Sequence, residues 1–529
     1  MAQIKWQALR NSFLTEFILI LSILLCFTFI YLFPVLSNIS DNLPRERYKG
    51  DIPFHIWNYE WIIDNIKYFP AERFFNANIF YPHNYTLAYS DLEITNSLQY
   101  FIFKLITDNK IASYNLLAIL NFILTGLAFY LFLRILSLKI STSIIMSAVF
   151  TFLPSRTMDF CSLPVLSLQW FILSIMFFYL FLINKRLVYL ILTSIFFIFQ
   201  ILTSLYLSLF LLIIYIIFVL INLLFKSIRL SKKEFKYIFF ILIVTLIISY
   251  LFLWPYFKIR TDREIYPREL KNYLILKDIF TSSGHYYPCT LTFIFFIYFW
   301  MLRIKQRDKY DYLFAASIVS IILFLLIGTV FSPFLKLPIF KDLKELHRCG
   351  IPVILFLFIL SAIGLDKFIS RLTKWKYLSI LLIIMLNFSE SYKYIRTEKN
   401  DFLKTRPAIY SHIKSLDIII EYPLPVFTLP HSYCWEQLYM YYSIDRWYKL
   451  FNGYSSFIPI DFFKKYSILK TFPSQQAIDL LKEMGIEYII IHTSVYDKSY
   501  IDEVFSFIDQ NRQKLSFVVK ENNDILIRL

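Results

Sequence analysis

A carboxylate that follows a glycine stands shortly after the first long apolar run of this sequence. Asp51 follows Gly50 in the first extended polar segment, close to the end of that run. A carboxylate held near a membrane surface can act as a general base toward a hydroxyl group, or as a metal ligand. The competing interpretation is a solvated aspartate in a turn after glycine, which is the ordinary role of such a residue.

Further ionisable side chains lie in the later polar segments. The segment Arg263–Glu269 contains both basic and acidic residues, and its Glu264 can either pair with a neighbouring arginine or act on a substrate hydroxyl. His285 and His347 are candidate acids, bases or metal ligands, because imidazole changes charge near neutral pH. The plainer interpretation of either histidine is a side chain in a surface loop.

The composition indicates that these residues belong to a membrane protein. Hydrophobic residues make up 58% of the 529 positions and charged residues 17%, whereas soluble proteins carry about 25% charged residues. The net charge of +16 is explained by Lys and Arg at the ends of membrane spans. Since no Walker loop, dinucleotide fingerprint or zinc-finger spacing occurs, we predict no nucleic-acid partner.

Apolar segments predict a polytopic α-helical membrane protein with about 11 transmembrane helices. They fall at about 12–35, 113–135, 138–154, 164–183, 187–203, 205–226, 236–257, 289–303, 311–331, 350–371 and 376–391. The run from 187 to 225 is too long for one span, so Thr203-Ser204 is predicted as a tight turn between two.

The charge pattern predicts the orientation of these helices. With the N-terminus in the cytoplasm, every loop on the cytoplasmic side of the plasma (inner) membrane is short and basic. An odd number of spans then places the C-terminal region outside, together with every long polar segment. The centres of the spans are almost free of ionisable residues, which argues against transport through the membrane.

Two extracytoplasmic segments carry their own predicted structure. In the first outer loop, residues 56–68 are predicted as an amphipathic helix at the membrane interface, held there by Trp57, Tyr59 and Trp61. The tail from about 401 is predicted as a small α/β soluble domain. Its elements are a strand at 416–421, a helix at 474–484 that Ser474 caps and Gly485 ends, a buried strand at 487–492, and a final helix with two strands. The aromatic-rich segment 433–454 can stack on sugar rings, or it can dock the tail against the membrane part.

The first outer loop resembles that of bacterial GT-C glycosyltransferases, which are polytopic enzymes that use polyprenyl-phosphate sugars as donors. The likeness is carried by Gly50-Asp51, the amphipathic segment after it, the turn Phe80-Tyr81-Pro82 and the pair Ser90-Asp91. Three other places extend it over most of the chain, namely Gln200–Tyr206, Arg348 before a span that closes with Gly364, and Asn452–Pro459.

This resemblance implies a GT-C-like fold and roles for two carboxylates. Asp51 takes the place of the catalytic aspartate of the family, and Asp159 that of a second acidic residue in the next outer loop. Residues 1–400 are then a multi-pass transmembrane domain with its catalytic loop at 36–112, and 401–529 an extracytoplasmic domain. The chain has no Asp-x-Asp, so no metal site is predicted, although a divalent metal stays an open option. The absence of a Trp-Trp-Asp signature argues against asparagine as the acceptor.

Donor binding is predicted to depend on arginines near the outer membrane surface. The phosphate of a polyprenyl-phosphate donor lies at headgroup level, where an Arg fork suits it well. The candidates are Arg348, Arg263 and Arg156; each could instead contact the headgroups of membrane lipids. Under this reading the protein is an inverting transferase that moves a sugar to a lipid or glycan acceptor outside the cytoplasm. The alternatives are a non-catalytic membrane scaffold of an envelope assembly, and a lipid-linked glycan polymerase, ligase or flippase.

Overall fold

The computed structural model of the chain describes most of its 529 residues. The described residues are 2–44, 51–225, 230–261, 265–267, 273–305, 311–329, 345–372, 385–386, 389–390, 397–399, 401–424, 434–513 and 515–529. Two predicted site residues, Arg263 and Glu264, lie outside these ranges, as does most of the eleventh predicted span.

Helices dominate the fold. In chain order they are α1 Ala2–Leu36, α2 Asp51–Asn65, α3 Glu72–Phe75, α4 Ile94–Thr107, α5 Lys110–Ile135, α6 Ile140–Thr151, α7 Pro154–Met158, α8 Leu163–Leu166, α9 Gln169–Asn184, α10 Leu187–Ile201, α11 Leu205–Phe225, α12 Lys232–Thr261, α13 Leu276–Phe280, α14 Thr290–Lys305, α15 Asp311–Gly328, α16 Gly350–Arg371, α17 Asp401–Lys404, α18 Cys434–Ser443, α19 Phe462–Leu469, α20 Gln475–Glu483 and α21 Lys498–Gln510.

Strands are short and lie mostly in the tail. In chain order they are β1 Asn42–Pro44, β2 Ile265–Pro267, β3 Thr397–Lys399, β4 Ile418–Tyr422, β5 Lys449–Leu450, β6 Phe457–Pro459, β7 Tyr488–His492, β8 Ser516–Glu521 and β9 Asp524–Arg528.

Most of the predicted segments form apolar helices in the structure. Within the described residues, seven helical stretches are long and apolar enough to cross a membrane: 14–36, 110–135, 163–184, 205–224, 232–260, 311–328 and 346–371. Three shorter apolar helices occupy 140–151, 187–201 and 290–303. The first ten predicted spans are therefore helical. The predicted turn at Thr203-Ser204 is confirmed too, because α10 ends at Ile201 and α11 begins at Leu205.

The chain divides into two compact units, of which the first contains most of the apolar helices. This unit comprises Met1–Pro44, Asn115–Ser249 and Glu269–Glu398. At its centre is α16, whose residues 350–365 are all buried and which packs against α6, α14 and α15. The hydroxyl of Ser361 donates to the carbonyl of Thr292 at 2.7 Å, so a polar contact as well as apolar packing joins α16 to α14.

The second unit combines the polar segment that follows the first apolar helix with the tail. It comprises Arg45–Tyr114, Tyr250–Arg268 and Lys399–Leu529. Its core is a mixed five-stranded sheet of order β5-β4-β7-β9-β8, in which β4 runs parallel to β5 and β7 while β9 is antiparallel to its neighbours. The predicted α/β tail is confirmed, including a helix capped by the Ser474 side chain, which accepts from the backbone N–H of Ala477 at 3.2 Å.

The helix predicted at 56–68 is confirmed, because α2 (Asp51–Asn65) covers most of it. Its predicted interfacial placement is wrong, since residues 52–62 are all buried and the exposed fractions of Trp57 and Tyr59 are 1% and 0%. Helices α4 and α18 pack against α2 within the same unit. The polar residues that suggested a solvent-facing side find partners inside the protein instead. Glu93 accepts from the Tyr59 hydroxyl at 2.9 Å and contacts the His55 ring at 2.9 Å.

Candidate functional site

The predicted catalytic carboxylate is half-buried at the start of helix α2. The described part of α2 begins at Asp51, where the partial positive charge of a helix N-terminus favours a carboxylate. The Tyr454 hydroxyl donates a hydrogen bond to Oδ1 of Asp51 at 3.1 Å. A carboxylate offers about four acceptor positions. It can therefore hold the Tyr454 hydroxyl and accept a substrate hydroxyl at the same time.

A buried hydrogen-bond network holds the segment that carries Tyr454. Glu436 accepts from the backbone N–H of Gly453 at 2.7 Å and from Nδ2 of Asn452 at 3.1 Å. Burial raises the pKa of Glu436 to about 8, against the effect of these two donors. A Cβ at position 453 would lie 2.9 Å from the ring of Phe80, so only glycine fits this close approach. The segment 452–459, which carries part of the family resemblance, therefore positions the hydroxyl of Tyr454 next to the carboxylate of Asp51.

Replacing Tyr454 with Phe tests this positioning. The substitution keeps the ring, which packs edge-on against Phe54 at 5.6 Å, and removes only the hydroxyl. A hydrogen bond to a charged group contributes about 1.5–3 kcal/mol, so we expect the transferase activity that the family resemblance implies to fall by about tenfold to a hundredfold. Initial transfer rates of the purified variant give the measurement.

Tyr441→Phe is the matched control for this variant. It removes a hydroxyl of the same unit that donates to the carbonyl of Leu403 at 3.0 Å. We expect its transfer rate to stay within about twofold of the unmodified protein, since no reacting group is involved. Equal rates for the two variants would contradict a role for the Tyr454 hydroxyl at Asp51.

Asp159, a second predicted carboxylate, lies in the first unit, among histidines. Asp159 belongs to the 3-10 turn Asp159–Cys161, and its Oδ1 is 3.1 Å from Nε2 of His285. The rings of His285 and His347 are 6.0 Å apart, and His347 pairs with Glu345 at 3.0 Å. Burial alone would raise the pKa of Asp159, but the nearby His285, with smaller effects from other cations, lowers it below its usual value.

Arg348 joins the same cluster from the turn that precedes α16. It lies in the 3-10 turn Leu346–Cys349, is half-buried, and its guanidinium carbon is 5.1 Å from the centre of the Tyr206 ring. Tyr206 closes the 200–206 segment on which part of the family resemblance rested. Next to Arg348, a Cβ on Gly350 would lie 2.4 Å from the ring of Tyr286, so glycine lets α16 approach that ring.

Arg156 is buried inside the protein, whereas an arginine that contacts a lipid headgroup would be exposed at the membrane surface. Its side chain is 4% exposed and donates to the carbonyls of Thr151 and Leu166, each at 3.1 Å. Burial lowers its pKa to about 9. Its Nη1 has no hydrogen-bond partner among the described residues, and the side chain lines a cavity of about 20 Å³ together with Asp159. A cavity of this size holds about one water molecule.

The structure thus brings three of the predicted site residues into one neighbourhood of the first unit. Arg156, Asp159 and Arg348 interact electrostatically there, whereas Asp51 belongs to the second unit. His285 and His347, which the sequence offered only as spare candidates, pack within this cluster. Sequence reasoning missed Tyr454, although the Asn452–Pro459 motif that contains it was the available signal. Among the described residues, no three His, Cys, Asp or Glu side chains are grouped so as to hold a metal ion.

Comparisons with known proteins identify the fold. No protein-family model matches the chain, and no curated protein sequence does. Solved structures do match. The arabinofuranosyltransferase AftD from Mycobacteria aligns with a TM-score of 0.59 and 10% identity, over 96% of this chain and 39% of that one. The apo oligosaccharyltransferase of Archaeoglobus fulgidus aligns with a TM-score of 0.52 and 10% identity, over 91% of this chain and 70% of that one.

These alignments define the class of fold. Both matched proteins are membrane glycosyltransferases of the GT-C superfamily, and this chain has their fold. The GT-C-like architecture predicted from the sequence, with many apolar helices followed by a small α/β region, is confirmed. The chain spans 39% of the length of the arabinofuranosyltransferase, so it corresponds to only a part of that protein.

Proposed function

We propose that this protein is a membrane glycosyltransferase that moves a sugar from a polyprenyl-phosphate donor to an acceptor hydroxyl on the extracytoplasmic side. The supporting observation is a half-buried carboxylate, Asp51, that begins a helix of the first outer loop of a GT-C fold and accepts a hydrogen bond from Tyr454. The orientation rests on the basic cytoplasmic loops of the sequence.

In this proposal Asp51 is the general base. The acceptor oxygen attacks the anomeric carbon of the donor sugar, and the acceptor proton passes to Asp51. The bond between the anomeric carbon and the phosphate oxygen breaks, and the polyprenyl phosphate leaves with the electron pair. Attack from the face opposite the phosphate inverts the configuration at the anomeric carbon.

The cluster around Arg348 would bind the donor phosphate. It offers two arginines and two histidines against two carboxylates, Asp159 and Glu345. Asp159 is then a positioning residue that orients His285 through their 3.1 Å contact. Arg348 is the half-buried arginine of the cluster, whereas the guanidinium of Arg156 is buried and largely committed to backbone carbonyls. Arg263 keeps its predicted role as a further phosphate ligand, and Glu264 its predicted role of pairing with an arginine or acting on the acceptor hydroxyl.

Replacing Arg348 with Ala tests donor binding. We expect the affinity of the purified protein for a polyprenyl-phosphate mannose or arabinose to fall by about tenfold to a hundredfold, since a charge-assisted hydrogen bond is worth about 1.5–3 kcal/mol. Binding is measured by displacement of a fluorescent polyprenyl phosphate from protein in detergent.

Arg371→Ala is the matched control. This arginine ends the same helix α16 and also lies over a tyrosine, with 5.8 Å between its guanidinium carbon and the centre of the Tyr298 ring. We expect its donor affinity to match that of the unmodified protein. If no polyprenyl-phosphate sugar binds at all, the proposed function fails and the scaffold alternative is favoured.

A further inference from the structure

The second unit contains an open cleft away from Asp51. Its volume is about 630 Å³, within the range of about 300–1,000 Å³ that small-molecule sites occupy. The wall includes Trp61 from helix α2 and Trp447 from the turn between α18 and β5. Along α2, Trp61 lies ten residues after Asp51, which at 1.5 Å per residue is about 15 Å. The cleft is therefore separate from the carboxylate proposed to act as base.

Two indole rings form the aromatic part of this cleft. The rings of Trp61 and Trp447 meet edge to face, with centroids 5.0 Å apart and an interplanar angle of 89°. Both ring nitrogens are satisfied: that of Trp61 donates to the carbonyl of Phe74 at 3.0 Å, and that of Trp447 to the Asp64 carboxylate at 2.9 Å. The indoles are thus locked in orientation, and rigid aromatic groups bind with little loss of conformational entropy.

The backbone conformation of Trp447 is unusual. Its φ is 52°, in the left-handed region that bulky residues rarely adopt, and nearby Asp445 has φ 75°. A strained backbone persists only where the surroundings enforce it, and such residues concentrate at binding and active sites. Here the strained turn presents the half-buried Trp447 in the wall of the cleft.

The polar groups of the cleft indicate what kind of ligand it suits. The lining contains two acidic residues, Glu72 and Asp445, and two basic residues, Arg73 and Arg446, so it has no net charge of its own. Asp445 also pairs with Lys110 at 3.1 Å. Arg446 donates through Nη1 to the carbonyls of Ser411 and Ile413, which hold its guanidinium in place at the cleft. The remaining polar groups are amide and hydroxyl side chains, from Asn65, Asn76 and Ser415.

We infer that this cleft binds a neutral oligosaccharide, as a remote subsite for the glycan that accepts the transferred sugar. The apolar C–H face of a sugar ring can lie on an indole, while its hydroxyls exchange hydrogen bonds with carboxylates, amides and guanidiniums at the rim. The acceptor role rests on the proposed function. Binding of the oligosaccharide does not, and it can be measured without transfer.

Trp447→Gly tests the inference directly. Glycine adopts positive φ without strain, so the variant removes the ring while keeping a backbone that fits the turn. Full-length protein in detergent is titrated by calorimetry with mannohexaose, arabinohexaose, chitohexaose and maltohexaose. We expect saturable binding of at least one of these by the unmodified protein, and affinity at least tenfold weaker in the variant. Trp447→Asn, whose side chain also tolerates left-handed φ, provides a second variant if the first fails to fold.

Two controls separate this inference from the proposed function. Tyr496→Ala removes a half-buried aromatic ring of the same unit that stacks on Tyr500 outside the cleft, and should bind the oligosaccharide normally. Asp51→Asn should also bind it normally, even where transfer is lost. The inference is overturned if none of the four oligosaccharides binds saturably, or if Trp447→Gly and Trp447→Asn bind as the unmodified protein does. If either of these outcomes occurs while Asp51→Asn still loses transfer, the oligosaccharide inference is rejected and the proposed function is retained.

Discussion

Asp51→Asn is expected to lower the rate of sugar transfer by about 10²–10⁴-fold, the usual contribution of a general base. Asparagine has the shape of aspartate and can still accept a hydrogen bond from Tyr454, so the second unit should fold as before. It cannot take up the proton of an acceptor hydroxyl at neutral pH. The loss should therefore appear in the rate of transfer, while affinity for the polyprenyl-phosphate donor changes little.

The measurement is transfer from a radiolabelled polyprenyl-phosphate sugar by purified protein, beside an equally expressed control. Asp108→Asn makes the same chemical change in the same outer loop, at an exposed residue with φ 48° that asparagine tolerates equally well. We expect that control to keep full activity. Transfer by Asp51→Asn at the rate of the control would remove the catalytic assignment of Asp51.

His492→Ala is expected to cost about 3–5 kcal/mol of folding free energy, because it breaks a buried charge cluster in the core of the tail. His492 is 4% exposed, and its ring nitrogens lie 2.7 Å from Oδ1 of Asp524 and 3.1 Å from Oε2 of Glu421. The same Glu421 oxygen accepts from the Tyr410 hydroxyl at 2.5 Å. Removing the imidazole leaves the carboxylate of Glu421 buried without its cation.

The cluster also makes a pH dependence of stability predictable. Burial alone would lower the pKa of His492, but hydrogen bonds to Asp524 and Glu421 outweigh this and raise it to about 9, from about 6.5 in an unfolded chain. A cation with a raised pKa in the folded state stabilises fully below the unfolded pKa. That stabilisation is lost as pH rises from about 6.5 through about 9.

Thermal unfolding of the full chain in detergent, followed between pH 6 and 10, measures both effects. The apparent Tm of the unmodified protein should fall over this range, and that of His492→Ala should be lower and flatter. His412→Ala is the matched control, since it breaks an exposed pair with Glu521, which is worth only about 0–1 kcal/mol. Equal Tm values for the two variants, or equal pH slopes for His492→Ala and unmodified protein, would contradict the role of the cluster.

Much of the helical framework could be predicted from the sequence, because its signals are local. A long apolar run forms a helix wherever it lies in the fold, so ten predicted spans appear as helices within the described residues. The tail elements followed from equally local signals, such as the Ser474 cap and Gly485, whose φ is +73°.

The surroundings of helix α2 could not be predicted in this way. Its mixture of aromatic and polar residues is typical of an interfacial helix, yet α4 and α18 enclose it. Glu60, a residue expected at the surface, is 1% exposed and accepts from the hydroxyl of Tyr100 at 2.8 Å. Tyr100 lies forty positions after Glu60, so the sequence pattern of α2 contains no information about this contact. Only the tertiary structure shows that the face of α2 with Glu60 is buried.

The same division holds for the candidate site. The sequence marked Asp51 and Arg348 because each lies close to the end of a predicted span, and it marked Asp159 through the resemblance to GT-C glycosyltransferases. Only the tertiary structure decided that Tyr454, about 400 positions further on, donates to Asp51, and that His285 pairs with Asp159. Hydrogen bonds and ion pairs depend on distances of about 3 Å between side chains. Chain folding sets those distances, and the spacing of residues along the sequence does not.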